Sequence, residues 1–342
     1  MKLQVKEIIK ETEDAVTICF KNGTLFKKLS YKPGQFLTIH VPVDGVVHKR
    51  AYSFSSSPFI DKDIKITIKR VDKGLISNYI HDHLKLGEKL VVDNPTGSFL
   101  VNPKKEIKEH YVLFAGGSGI TPILSILKSV LLKEPLSKIV LVYANQNIES
   151  IIFKEDIEKL EKEYPATFSV EHILSKSNQE NANYHSGLLT EELLTTIIKK
   201  HKLIFGSSQY MICGPFGFME CTKGILIANG VKLSNIKVEV FKSPTIAVVG
   251  DKEECDVEIN YNSSSYTIKV PKDKSILQIA MANNIALPYS CRSGMCSTCK
   301  ASCSKGEVVM TEGHFMGEDE VSQGKILTCI SYPASKNVVI NI

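Results

Sequence analysis

The 342 residues carry a formal charge of +5, with 43% hydrophobic and 23% charged side chains, the balance of an ordinary globular protein with material for two or three cores. Lys and Arg alternate with Asp and Glu and form no concentrated basic stripe, so a nucleic-acid partner is not expected. "MKLQVKEIIKETEDAVTICF" lacks the apolar core of a secretion signal and no run approaches eighteen apolar residues, so a cytoplasmic protein without membrane insertion is expected.

Residues 1–103 read as short alternating runs, "DAVTICF", "QFLTIHVPV", "KRAYSFS", "IKITIKRV" and "EKLVVDNP". Turns at Pro33-Gly34, Asp44-Gly45 and Pro95-Thr96-Gly97 separate them, which predicts an antiparallel barrel. One helical stretch, "LISNYIHDHL", interrupts it. Its His81 and His83 stand at i and i+2 and diverge on a helix, so they are expected to be solvated and not to share a metal.

From 104 to 242 the rhythm changes. "YVLFAGG", "KIVLVYAN", "FSVEHILSK" and "QYMICGP" are buried strands alternating with helical runs such as "TPILSILKSVLLK" and "TEELLTTIIKKH". That alternation predicts a parallel sheet wrapped by helices. Residues 243–250 read as a linker, and 251–342 as a small α+β domain.

Within "PYSCRSGMCSTCKASC", Cys291, Cys296 and Cys299 have the spacing C-x4-C-x2-C, and Cys329 follows thirty positions after Cys299. This is the plant-type arrangement for a [2Fe–2S] cluster. Two irons and two bridging sulfides need four thiolates, and Ser293, Gly294 and Ser297 are small enough to let backbone N–H groups turn toward sulfur. Cys303 would complete a C-x2-C-x3-C run, but that reading strands Cys291 and Cys329, so Cys303 is expected in the following strand as a small side chain. A zinc site would favour paired C-x2-C knuckles, and only one is present.

Such a cluster passes single electrons, whereas a nicotinamide gives up two as a hydride, and a flavin is the usual intermediary. In "RAYSFSSSP", Arg50 and Tyr52 share one strand face and Ser53 the other. An arginine can clamp a phosphate, an aromatic ring can lie on an isoalloxazine and a hydroxyl can reach its N5; an exposed Arg–Tyr pair on a strand would present the same residues. In "KGLISNYI", Gly74 opens a turn and Ser77 sits in the first helical turn, whose N–H groups favour pyrophosphate. "FAGGSGITP" follows a buried strand and predicts a helix with Thr121 as its cap and Pro122 at its first position. Gly116, Gly117 and Gly119 there permit close approach of a dinucleotide, although the run is not G-x-G-x-x-G. In "MICGPFG", Cys213 and Gly214 end a strand at the sheet's carboxyl edge.

Together and in this order the motifs resemble the ferredoxin–NADP reductase family over residues 1 to about 242, joined to a plant-type ferredoxin domain of β-grasp type. The whole arrangement looks most like the reductase subunits of phenylacetyl-CoA epoxygenase and related oxygenases; "LVYANQNIESIIFKEDIEKLEKEYP", "PYSCRSGMCSTCK" and "VEVF" carry that closer likeness. The resemblance implies an NAD(P)H-dependent oxidoreductase that uses FAD and a [2Fe–2S] cluster to feed a separate acceptor protein. That acceptor would be an oxygenase or, in alternative readings, a desaturase or a free ferredoxin-type carrier; a low-turnover redox sensor is the rival from another class. The family's roles carry over as Arg50, Tyr52 and Ser53 on flavin, with Ser53 at N5, and Gly74 and Ser77 on its pyrophosphate. Thr121 would lie between the cofactors, Gly116, Gly117 and Gly119 on the nicotinamide dinucleotide, and Cys213 with Gly214 at its reactive end. Phe241 would cover the flavin, and Cys291, Cys296, Cys299 and Cys329 would ligate iron. Relatives that prefer NADPH place an arginine where this chain reads "YANQNIES"; Lys176 is the candidate for a 2′-phosphate, and the coenzyme preference is left open. The acidic run "TEGHFMGEDE" is a candidate for steering the acceptor or a solvated loop.

Overall fold

Asp44 and Gly45 both take positive φ, 50° and 78°, the twist a two-residue hairpin needs. They join β3 (Phe36–Val43) to β4 (Val46–Ser53) in continuous antiparallel register from Val43–Val46 to Phe36–Ser53. With β1 (Lys2–Lys10), β2 (Ala15–Phe20), β5 (Ile64–Lys69) and β6 (Lys89–Val92) these strands form one antiparallel sheet, ordered β4-β3-β6-β1-β2-β5. A bridge between Phe54 and Ile66 ties the β4 end to β5 and closes it, so the expected barrel is present. Alternating Leu37, Ile39, Val41 and Val43 fill its interior with Ile18, Ile66 and Ile68. The opening segment supplies β1, an interior strand of that sheet. Helix α1 (Leu75–His83) lies over the barrel through Ile76 and Ile80.

The structure is a computed structural model in which residues 1–21, 29–177, 183–241, 253–311 and 314–342 are described. They divide into two compact units, Met1–Glu239 and Val240–Ile342; the expected linker, 243–250, lies outside the described residues.

Besides the barrel, the first unit holds a wholly parallel sheet. Its strands are β7 (His110–Gly116), β8 (Lys138–Asn145), β9 (Phe168–Leu174), β10 (Tyr184–Ser186), β11 (Gln209–Cys213) and β12 (Ile236–Glu239), ordered β10-β9-β8-β7-β11-β12. β7 and β8 are near-continuous apolar runs, as strands covered on both faces must be. Helices α2 (Ile120–Lys133), α3 (Lys154–Glu163), α4 (Glu191–Lys200) and α5 (Phe216–Ala228) make the crossovers. Thr190 caps α4 by accepting from the Leu193 N–H at 3.2 Å.

α2 corrects one expectation. It begins at Ile120 with Gly119 as its N-cap residue, because Gly117–Gly119 already form a tight helical turn that feeds into it. Thr121 is therefore inside the helix and donates to the Ser118 carbonyl at 3.1 Å instead of capping. Pro122 falls at the third position, where its missing N–H is still one of the unpaired set.

Buried hydroxyls join barrel and sheet inside this unit. Ser125 of α2 donates to the Ser56 carbonyl at 2.6 Å, and Ser129 pairs with Ser57 at 2.8 Å. Ser56 also meets the Tyr31 hydroxyl at 2.6 Å, and Lys128 pairs with Asp61 at 3.6 Å.

The second unit is a mixed sheet, β14-β13-β19-β15-β17, of β13 (Glu254–Tyr261), β14 (Ser264–Pro271), β15 (Lys300–Lys305), β17 (Lys325–Leu327) and β19 (Asn337–Asn341). Helix α6 (Ile276–Ala282), capped by Ser275, packs into its core. β16 (Val308–Met310) pairs with β18 (Ser331–Pro333), and α7 (Glu318–Ser322) precedes β17.

Candidate cofactor and coenzyme sites

The loop from Ser290 to Cys299 carries no regular structure, and left-handed residues Arg292 (φ 60°) and Gly294 (φ 77°) bend it. At that φ any side chain is strained, and a Cβ on Gly294 would also come within 2.8 Å of Ile330 Cδ1. The sulfurs fall into two pairs. Cys291 and Cys296 lie 3.2 Å apart, Cys299 and Cys329 3.3 Å, and the Ser293 N–H points at Cys291 Sγ from 3.4 Å. Two pairs suit a centre with two metals and two thiolates on each. Each pair is tightly coupled: the side-chain hydrogen bond between its two sulfurs, opposed by burial, lowers Cys296 and Cys299, and the same bond together with burial raises Cys291 and Cys329. Cys303 stands apart in β15 and reaches the Lys305 and Gly306 carbonyls at 3.4 and 3.6 Å.

On β4, Arg50 and Tyr52 project to one face, opposite Ile39 and Leu37 in register. Arg50 donates to the Lys49 carbonyl at 2.7 Å. Burial against the barrel core pushes the Tyr52 phenol up to about 12. Ser53 is buried on the other face. At α1, Gly74 is the N-cap residue and no side chain caps the first N–H groups. A Cβ at Gly74 would lie 2.6 Å from Ser77 Oγ, which instead accepts from the Val71 N–H at 3.1 Å. A helix start without a side-chain cap leaves N–H groups that suit a phosphate, and the Tyr52 ring packs on the same barrel core as Ile76 and Ile80 of that helix. His83 is exposed as expected and packs on Tyr79, whereas His81 is part-buried; its Nε2 meets the Ile68 carbonyl at 2.9 Å and burial lowers its pKa.

The two glycine loops meet at the carboxyl edge of the parallel sheet. A Cβ on Gly119 would strike the Cys213 carbonyl oxygen at 2.1 Å, and one on Gly214 would sit 3.0 Å from Gly116 Cα. Gly116, Gly119 and Gly214 thus serve loop-to-loop packing, and only Gly117, with φ 50° and open space before it, presents bare backbone outward. The Cys213 thiol is 0% exposed in the sheet–α2 core, and burial and then Glu239 push its pKa well up. Phe241, two residues past β12, is 41% exposed.

Beside these loops opens a cavity of about 410 Å³, walled by Gly116, Gly117, Asn145, Gln146, Ser175 and Leu188, among others. The motifs did not reveal Asn145. Both atoms of its amide are buried without a hydrogen-bond partner, and a polar group so placed is costly until a ligand engages it. Its strand-end position, where α/β sheets bind ligands, was the available signal. The Ser56–Ser57–Ser125–Ser129 contacts were missed too, although Ser125 and Ser129 were visible amid the aliphatic run of α2.

A flavin-type barrel, a parallel sheet with a nucleotide-sized cavity and a four-cysteine domain define a pyridine-nucleotide oxidoreductase with an iron–sulfur centre. Residues 2–100 match the oxidoreductase FAD-binding domain, 113–224 the oxidoreductase NAD-binding domain and 259–334 the 2Fe-2S iron-sulfur cluster binding domain. The chain is 33% identical over 352 residues to the 3-ketosteroid-9-alpha-monooxygenase ferredoxin reductase component of Rhodococcus rhodochrous, covering 99% of this chain and 95% of the relative. It is 30% identical over 348 residues to a subunit of the 1,2-phenylacetyl-CoA epoxidase of Escherichia coli K12, covering 99% and 96%. Phthalate dioxygenase reductase shares the fold, with a TM-score of 0.66 and 20% identity over 100% of this chain and 98% of that one. The chain belongs to the ferredoxin–NADP reductase family, in the branch with a C-terminal [2Fe–2S] domain. It is an NAD(P)H oxidoreductase with FAD and a [2Fe–2S] cluster as cofactors.

Proposed function

We propose that this chain is the cytoplasmic reductase component of an oxygenase system, taking electrons from NAD(P)H and handing them to a separate oxygenase protein. The observation that carries the reading is the pairing of four sulfurs as 291/296 and 299/329, in a chain that also matches FAD- and NAD-binding domains. No helix among the described residues is long and apolar enough to cross a membrane. We assign residues 1–103 to flavin, 104–242 to the coenzyme and 251–342 to the cluster.

Bound FAD supplies the conversion of a two-electron hydride into single electrons for the cluster. Arg50 would neutralise a flavin phosphate, Tyr52 would provide an apolar ring surface, and Ser53 would supply a hydroxyl. Gly74 and Ser77 shape the α1 entrance, whose free N–H groups would hold the pyrophosphate. Gly117 offers backbone N–H to the dinucleotide, while Gly116, Gly119 and Gly214 hold that loop against the Cys213 strand end. Enclosed in the sheet–α2 core, the Cys213 thiol would act by packing beneath the glycine loops. Thr121 donates to the Ser118 carbonyl and would stand between the two binding regions.

Stopped-flow mixing of the fully loaded, anaerobic protein with NAD(P)H tests this. Flavin bleaching followed by cluster reduction is expected, and electrons should then pass to the cognate oxygenase. Transfer only to a desaturase or a small ferredoxin would replace the oxygenase assignment, and no bleaching within minutes would point to a redox sensor.

A further inference from the structure

The cysteines differ in access. Cys291, Cys296, Cys299 and Cys329 belong to the cluster, Cys19, Cys213 and Cys255 are buried, and Cys303 is half-buried; among the described residues Cys221 is the one exposed cysteine. Cys221 stands on α5 one turn beyond Phe218, so the two share a face, and both line the coenzyme cavity. Phe218 anchors that face against the glycine loops, since a Cβ on Gly116 or Gly214 would meet its ring at 3.2 and 2.9 Å. In the segment after β10, the Leu189 carbonyl accepts from Cys221 Sγ at 3.6 Å, a weak bond that a reacting sulfur gives up readily.

The same cavity, about 410 Å³ and of a size for a small molecule, is lined by Asn145, 8% exposed with neither its N–H₂ nor its oxygen partnered. A donor and an acceptor side by side are the complement of a peptide group. The lining holds one cation, Lys69, ion-paired with Asp14 at 3.2 Å, and no Asp or Glu, so an acidic ligand meets no carboxylate in the wall. We infer that Cys221 is a thiol-modification site whose ligand is the disulfide of a small acidic peptide thiol, and that the mixed disulfide closes the cavity to the coenzyme. The Cys221 thiolate attacks one sulfur of that disulfide. The S–S bond of the reagent breaks, a new S–S bond joins Cys221 to one half, and the other half leaves as a thiol with the proton given up by Cys221. The Cys221 sulfur is oxidised, the departing sulfur is reduced, and excess thiol reverses the exchange. The attached peptide then engages the Asn145 amide. That the adduct blocks the coenzyme rests on the coenzyme-binding reading of the cavity.

The test uses the full chain loaded with both cofactors, oxidised and anaerobic, with glutathione disulfide as the probe. Intact mass and peptide mapping report the labelled cysteine, an iron assay follows the cluster, and stopped-flow bleaching by NAD(P)H reads the block. One glutathionyl group should appear at Cys221, and fast bleaching should be lost in step with the labelled fraction. Dithiothreitol should restore it, with iron content unchanged throughout. Oxidised coenzyme should slow the labelling, and hydroxyethyl disulfide, which has neither peptide group nor charge, should label more slowly than the peptide disulfide. Cys221 is exposed, so C221S should fold; it should take no label and keep its own bleaching rate through the treatment, whereas C303S should stay sensitive. Absence of label at Cys221, label there with bleaching unaffected, equal labelling by the two disulfides, or slowing that follows iron loss would overturn the inference. Labelling that coenzyme does not slow, in protein whose flavin NAD(P)H bleaches normally, would overturn the coenzyme reading of the cavity and leave the thiol site standing. Bleaching by neither NADPH nor NADH before treatment would overturn the reductase reading.

Discussion

Cys329 and Cys303 show how much a single position decides. Cys329 pairs with Cys299 at 3.3 Å, whereas Cys303 faces backbone carbonyls in β15. C329S should therefore lose the visible absorption and labile sulfide of the cluster while keeping flavin, and C303S should keep both; absorption spectra with iron and sulfide assays distinguish them. Gly119 is a second such point. G119A would put a methyl 2.1 Å from the Cys213 oxygen, so the loops must separate, at a cost of about 1–3 kcal/mol, read as a lower Tm and weaker coenzyme binding. At this scale the sequence was uneven in what it disclosed. The cysteines were legible because a cluster imposes a spacing along the chain. Asn145 was not, because what marks it is an amide left without a partner, a property of its surroundings. The glycines were legible as positions where a backbone comes close, but the partner they approach turned out to be largely the Cys213–Gly214 loop.

Among the elements, β9 and β10 meet at the sheet edge over Glu171, whose carboxylate is wholly buried. It accepts from His185 at 2.8 Å, Lys200 at 2.7 Å and His201 at 2.5 Å. Burial alone would raise its pKa, but the three hydrogen bonds outweigh that and hold it at about 2. Because the folded value lies below the unfolded one, the contribution is fully present above pH of about 4.5 and is lost as pH falls toward 2; it amounts to an order of 3 kcal/mol. Urea unfolding across that window should show a steep acid limb in the wild type and a flatter one in E171Q, which is also less stable near neutrality. The contacts of α2 with the barrel make a second case. S129A removes the partner of Ser57 and should cost about 1–2 kcal/mol. If that contact sets the angle between barrel and sheet, flavin reduction slows more than coenzyme binding weakens, which rapid kinetics can separate. Element types were legible throughout, since period-two and continuous apolar runs follow directly from which faces are covered. The start of α2 was misread because a glycine turn was able to feed the helix early, and β1 was passed over because its charged outer face dilutes the alternation.

At the scale of the whole molecule, three folded parts in one chain place three kinds of electron chemistry in sequence, and their order was legible from the residues alone. The recipient was not, since a docking face carries no spacing rule. The acidic run 311–320 illustrates this: Glu312 and Gly313 lie outside the described residues, and Glu320 is already paired with Lys300. The account stands on the paired sulfurs as ligands of a two-iron centre that receives its electrons by way of flavin. Anaerobic NADPH titration of the chain as isolated, followed by low-temperature electron paramagnetic resonance with iron and sulfide assays, tests this most directly. About two irons and about two labile sulfides per chain, with a reduced-cluster signal growing as flavin absorbance falls, is the predicted result. A colourless protein holding one zinc, or a loaded cluster that stays oxidised while the flavin is fully bleached, would contradict it.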